Sequence, residues 1–116
     1  MLPHPLPPVR RLRRRGEFQR VFDAGRRAHG RYLTVIASPS PAAGSRLGIV
    51  ASRKLGGAVV RNRAKRLIRE VFRTSIAPAV PVDLVVIPKA AAIEAKAQDI
   101  SADYQTTLKR LGLSIQ

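Results

Sequence analysis

Cysteine and tryptophan are absent from this chain, acids are scarce and no long apolar run occurs. Without cysteine there is no disulfide framework and no thiolate to act as nucleophile or ligand, which suits a cytoplasmic protein. Aromatic residues make up only 4%, so the core must be built from Val, Ile, Leu and Ala with few large anchors. No stretch approaches the ~20 apolar residues of a membrane span. The arginines near the N-terminus are not followed by the apolar run of a secretory signal. Seven carboxylates lie scattered along the chain, and His4 and His29 stand alone. A protein-only nuclease or transferase needs clustered acid, base or metal ligands, and none is visible. The chain is expected not to perform chemistry by itself.

What is present in excess is positive charge. The net charge is +15 over 116 residues, enough chain for one domain with one core. All of the excess lies in residues 1–73, which hold 18 Lys and Arg against Glu17, Asp23 and Glu70; residues 74–116 are balanced. Arginine outnumbers lysine 17 to 5, which favours forked contacts to phosphate and stacking on bases. A polyanion is the expected partner, nucleic acid ahead of an anionic membrane.

The charge peaks in the stretch from Ser52 to Ser75, which reads as a loop followed by a two-faced helix. At about 100° per residue, Val60, Ala64, Leu67, Ile68, Val71 and Phe72 share one apolar arc. Arg61, Asn62, Lys65, Arg66, Arg69 and Arg73 fill the adjoining arc, with Arg63 and Glu70 further round. Arg61, Lys65, Arg69 and Arg73 follow at i, i+4 steps, where like charges repel by a few tenths of a kcal/mol per pair. A merely solvated face would mix signs, so an unopposed ridge points to an anionic partner.

Around this helix the chain divides simply. Residues 1–9 carry four prolines and read as a disordered arm; residues 10–116 read as a single domain opening on the basic run Arg10 to Arg15. Glu17 to Ala24 forms a short helix with Phe18, Val21 and Phe22 on one face and Gly25 to end it. Arg31 to Ser38 alternates as a strand, with Tyr32, Thr34 and Ile36 on one side, and Arg26 to His29 adds a short strand before it. Further strands are expected over Arg46 to Ser52 and Val82 to Ile87. A last amphipathic helix starts at Ile93 and ends near Gly112. Gly56-Gly57 is a turn, having neither the spacing nor the terminal Lys-Ser/Thr of a phosphate-binding loop. The order implies a small α+β domain with a mixed sheet, the basic helix crossing between two strands.

The segment V-V-R-N-R-A-K-R-L-I-R-E-V-F-R, preceded by R-L-G-I-V-A-S-R-K-L-G-G-A, closely resembles the signature of the bacterial ribonuclease P protein component. Leu12, Glu17-Phe18-Gln19-Arg20-Val21-Phe22 and Gly25 are similar to that family's N-terminal pattern. The resemblance spans about residues 10 to 111. It implies a two-layer α-β-β-β-α-β-α sandwich, like a ribosomal-protein domain, with a four-stranded mixed sheet and a left-handed βαβ crossover. It also implies an accessory subunit of an endoribonuclease, inactive alone, whose catalytic RNA removes the 5′ leader of precursor tRNA. Mg2+ ions are then held by the RNA rather than by a protein motif; no membrane and no obligate protein partner are implied. By position, Arg53, Lys54, Arg61, Asn62, Arg63, Lys65, Arg66 and Arg69 would face RNA. Phe18 and Phe22 would line the leader-binding cleft with Tyr32 and Ile36, Ile36 standing where many members have an aromatic. Gly57 replaces an asparagine common in the family.

Two other classes compete. A structural RNA-binding protein such as a ribosomal component would share the charge and its salt dependence, but not the N-terminal pattern or the full arginine–asparagine–arginine signature. A membrane-surface helix would carry bulky anchors such as Trp, and Phe72 is the sole aromatic on this one.

Overall fold

The computed structural model describes residues 10–42, 44–75 and 80–113, so the expected arm at 1–9 lies outside the described residues. The elements run α1 (Arg15–Ala24), β1 (Arg26–His29), β2 (Leu33–Pro39), β3 (Arg46–Ile49), α2 (Ala58–Thr74), β4 (Val82–Pro88) and α3 (Ala97–Arg110). The α-β-β-β-α-β-α order is the one expected. The four strands form one mixed sheet in the order β1-β2-β4-β3, in which β1–β2 and β2–β4 are antiparallel and β3–β4 is parallel. The parallel pair is joined through α2, which places the basic helix in the crossover.

The sheet buries both faces unequally. Leu33, Val35, Leu47, Leu84 and Val86 point to one side, where Ile68, Val71 and Phe72 of α2 meet Ile100, Tyr104 and Leu108 of α3. That layer pair is the main core. Ile36 and Val85 point to the other side, where Leu12 and Val21 bury them. The short helix α1 covers only part of that second face, leaving a groove beside it.

Several boundaries differ from the sequence expectation, each for a local reason. Helix α1 starts two residues earlier, at Arg15, because the Glu17 carboxylate accepts the backbone N–H groups of Arg13 and Arg14 at 2.8 and 2.9 Å and satisfies its first turn. Strand β2 starts at Leu33 rather than Arg31. The Asp103 carboxylate of α3 accepts the N–H groups of Arg31, Tyr32 and Leu33 at 2.8–2.9 Å, drawing that turn onto the helix and out of the ladder. Strand β3 ends at Ile49, shortly before a 3-10 turn over Arg53–Leu55. The last helix begins at Ala97, not Ile93, because Ala90–Glu94 forms a separate 3-10 turn and Asp99 caps α3 by accepting the Lys96 N–H at 3.1 Å.

One ionic network holds α1 to the sheet. Asp83 of β4 is fully buried; Arg46 of β3 grips it with a fork of 2.9 and 2.8 Å and reaches Glu17 at 2.7 Å. Arg20 of α1 adds a bond to the same carboxylate at 2.5 Å. Burial alone would raise the Asp83 pKa, but the Arg46 fork with Ser40 and Arg20 holds it below the ordinary carboxylate value. The backbone amides of Arg14 and Arg13, aided by Arg46, lower that of Glu17 likewise.

Candidate nucleic-acid interface

The basic face of α2 is set by what the opposite face buries. Ala64, Ile68, Val71 and Phe72 lock into the core, which leaves Arg61, Lys65 and Arg69 half-buried along one flank and Asn62, Arg63 and Arg66 exposed. The members of the ridge do not share one task. Arg63 donates to the backbone carbonyls of Ile93 and Ala95 at 2.6 and 3.4 Å, tying α2 to the Ala90–Glu94 turn. Arg73 pairs with Glu70 at 2.5 Å. Arg61, Lys65, Arg66 and Arg69 have no carboxylate or carbonyl partner among the described residues. Arg53 and Lys54 are exposed on the 3-10 turn before the helix, anchored by buried Leu55. Gly56 then turns at φ 149°, a conformation that requires glycine, and an added Cβ would press on Val60 at 3.1 Å. Gly57 sits at an ordinary φ of −71°.

A strap of Arg10–Leu12 runs along the edge of β3. The Leu12 N–H donates to the Leu47 carbonyl at 2.9 Å, and Arg11 bridges Leu47 in parallel fashion, so the strap covers a strand edge that would otherwise be open. The Arg10 guanidinium lies over the Phe72 ring, 4.9 Å from its centroid. Arg11 faces α2, and a pocket of about 110 Å³ opens between Arg11, Phe18, Gly48, Lys65 and Arg69. No acid lines it. Burial, and then the nearby Arg11 charge, lower the Arg69 pKa. The Nε atoms of Arg11 and Arg61 are buried without a hydrogen-bond partner. Crowded, partly desolvated cations with two unspent donors form a site whose electrostatics an anion would relieve. The run Arg10 to Arg15 was visible in the sequence, but only the strand pairing shows that Arg11 joins the ridge.

The groove beside α1 differs from the expectation. The register across the sheet aligns Arg27, Ile36, Val85 and Gly48 in one row, and His29, Thr34 and Ile87 in the next, with Val50 beside it. Helix α1 and its exit cover the first row. Ile36 is fully buried, and a Cβ on Gly25 would come within 2.7 Å of its Cγ2; Phe18 packs so closely on Gly48 that an added Cβ there would meet the ring at 2.5 Å. Ile36 is therefore a core residue beneath the helix rather than a surface for a base. Tyr32 also departs from its expected place. It precedes β2, and its ring packs on the α2/α3 side of the sheet, with the Arg31 guanidinium 5.3 Å from its centroid. The turn captured by Asp103 breaks the alternation that placed it beside Ile36. Phe18 and Phe22 are half-buried and line the groove wall, and the Arg27 guanidinium lies 5.9 Å from the Phe22 centroid. The groove floor consists of His29, Thr34, Ile87 and Val50. Sequence reasoning missed His29 and Thr34 because their proximity depends on cross-strand register.

Carboxylates are few here and already engaged. Glu17, Glu70, Asp83 and Asp103 each hold an arginine or backbone N–H groups. Among the described residues no group of three or more His, Cys, Asp or Glu is placed to hold a metal ion, and no helix is long and apolar enough to cross a membrane.

Known proteins share both sequence and fold with this chain. The family model described as Ribonuclease P matches residues 6–112. The ribonuclease P protein component of Desulfovibrio desulfuricans is 39% identical over 111 residues, spanning 91% of this chain and 85% of its own. That of Acidothermus cellulolyticus is 37% identical, spanning 91% of each. Among solved structures, a Staphylococcus aureus RNase P protein superposes with a TM-score of 0.81 at 30% identity, over 91% of this chain and 98% of that one. The Thermotoga maritima RNase P protein gives 0.76 at 34%, over 86% and 96%. The match runs from the strap through α3 and includes the arginine-rich crossover helix, so the chain belongs to the family of bacterial ribonuclease P protein components.

Proposed function

We propose that this subunit docks on the catalytic RNA of ribonuclease P through the α2 ridge and grips the single-stranded 5′ leader of precursor tRNA in the groove beside α1. The carrying observation is the set Arg61, Lys65, Arg69 and Arg11, which has no acidic partner among the described residues and includes two unspent buried donors, the Nε atoms of Arg11 and Arg61. Arg53, Lys54, Asn62 and Arg66 extend the docking surface, whereas Arg63 serves mainly to hold α2 to the Ala90–Glu94 turn. The groove supplies aromatic walls, Phe18 and Phe22, beside the Arg27 guanidinium, the combination that stacks unpaired bases while following a backbone. Ile36 supports this contact from beneath α1, whereas Tyr32, on the opposite side of the sheet, takes no part in it. Hydrolysis of the leader bond is assigned to Mg2+ ions held by the RNA; the protein supplies binding and alignment, in the cytoplasm, without an obligate protein partner or a membrane.

Reconstitution tests the reading. The protein is mixed with a bacterial ribonuclease P RNA at low magnesium, and cleavage of a precursor tRNA is followed. The expected result is stimulated cutting at the mature 5′ end, with none from protein alone. Tight RNA binding without stimulation would favour a structural RNA-binding protein instead.

A further inference from the structure

The geometry points to His29 and Thr34 as the residues that read the identity of one unpaired base in the leader; this rests on the groove reading above. Most of the groove offers contacts that any base can satisfy: the rings of Phe18 and Phe22, the flat guanidinium of Arg27, and the aliphatic Ile87 and Val50. Stacking and apolar contact tolerate all bases. Discrimination needs a hydrogen-bonding edge held in one orientation.

The floor contains such an edge. Thr34 and His29 are direct cross-strand neighbours, and His29 Nδ1 lies 3.0 Å from Thr34 Oγ1. Thr34 is buried and His29 exposed, so the hydroxyl anchors the Nδ1 edge of an exposed imidazole, and no hydrogen bond among the described residues occupies Nε2. The bond constrains the ring chemically as well. If the hydroxyl donates to Nδ1, the neutral ring presents an Nε2 donor; if Nδ1–H donates, Nε2 is an acceptor. Either state distinguishes bases by the edge they offer. The strand is held from behind, since Arg110 donates to the His29 carbonyl at 2.5 Å. Arg27, two residues earlier on the same strand face, stands beside Phe22, so a base stacked at the groove wall would lie next to the imidazole.

The test is cleavage by the reconstituted holoenzyme of precursor tRNAs in which each leader position in turn carries each base, with wild type, His29→Asn, His29→Gln and Thr34→Val. Asn can retain the contact to Thr34 but has no atom at the place of Nε2; Gln can put an amide group there. The expected result is a preference of about 3- to 10-fold at one leader position, the size of one hydrogen bond. It should collapse in His29→Asn, weaken in Thr34→Val and survive in part in His29→Gln, with affinity for mature tRNA unchanged. Leader-dependent binding with the same base profile in His29→Asn as in wild type would overturn the inference and leave the groove intact. An equal loss on all substrates would also overturn it, by showing a structural role. Wild-type binding independent of leader length would instead overturn the groove reading itself.

Discussion

Asp83→Asn is the substitution whose outcome the structure constrains most tightly. The carboxylate has no exposed surface, and Arg46, with 14% of its side chain exposed, donates two hydrogen bonds to it. Asparagine keeps the shape but removes the charge and offers an N–H₂ to a guanidinium that cannot accept. Breaking a buried pair at one partner costs about 3–5 kcal/mol; retention of one acceptor places this variant near the lower end, about 3 kcal/mol. For a domain of this size that corresponds to a fall of roughly 10 °C or more in Tm. The Arg20 bond adds little, since that side chain is 42% exposed. The pH dependence supplies the second half of the test. Because the folded pKa of Asp83 is depressed below 3.8, its contribution is complete above that value and is lost as pH falls through the folded value. The difference between wild type and variant should be largest near neutrality and shrink in acid. Glu17, also depressed, leaves the variant a smaller acid limb. Urea unfolding of both proteins between neutral pH and about pH 2 measures this. A loss below about 1 kcal/mol, or a difference constant down to the lowest pH, would refute the account of α1 as ionically pinned.

Replacing Arg61, Lys65 and Arg69 with Ala should weaken binding to ribonuclease P RNA and reduce the slope of log K against log salt by roughly one unit for each phosphate no longer neutralised; Arg63→Ala, its control, should lower Tm more than it changes that slope, and the reverse pattern would mean that the wrong flank has been assigned. Gly48→Ala drives a methyl into the Phe18 ring and should cost about 1–3 kcal/mol while displacing α1, seen as weaker binding of leader-bearing substrate relative to mature tRNA; unchanged stability and selectivity would show that Phe18 is not seated on β3.

Much of this protein could be read directly from its sequence. The 3.6-residue period of Val60 to Phe72 produces one helix with a buried arc whatever it packs against, and the i, i+4 cations beside that arc must then form a ridge. Charge excess, the order of elements and the family resemblance are likewise properties of the linear chain. What the chain alone could not determine is which cations remain available and which residues floor the groove. Arg63 and Arg69 are similar letters on one helix; one is spent on the carbonyls of Ile93 and Ala95, the other lies against Arg11 from a strap that pairs with β3. Alternation placed Tyr32, Thr34 and Ile36 on one face, but the Asp103 carboxylate, 71 positions from Tyr32, captured the turn and sent that ring to the opposite core. Thr34 met His29 only through strand register. Local periodicity is a property of the backbone and is written in the sequence; partner choice for a charge or a ring depends on which distant groups the fold brings within a few ångströms, and that only the tertiary structure decides.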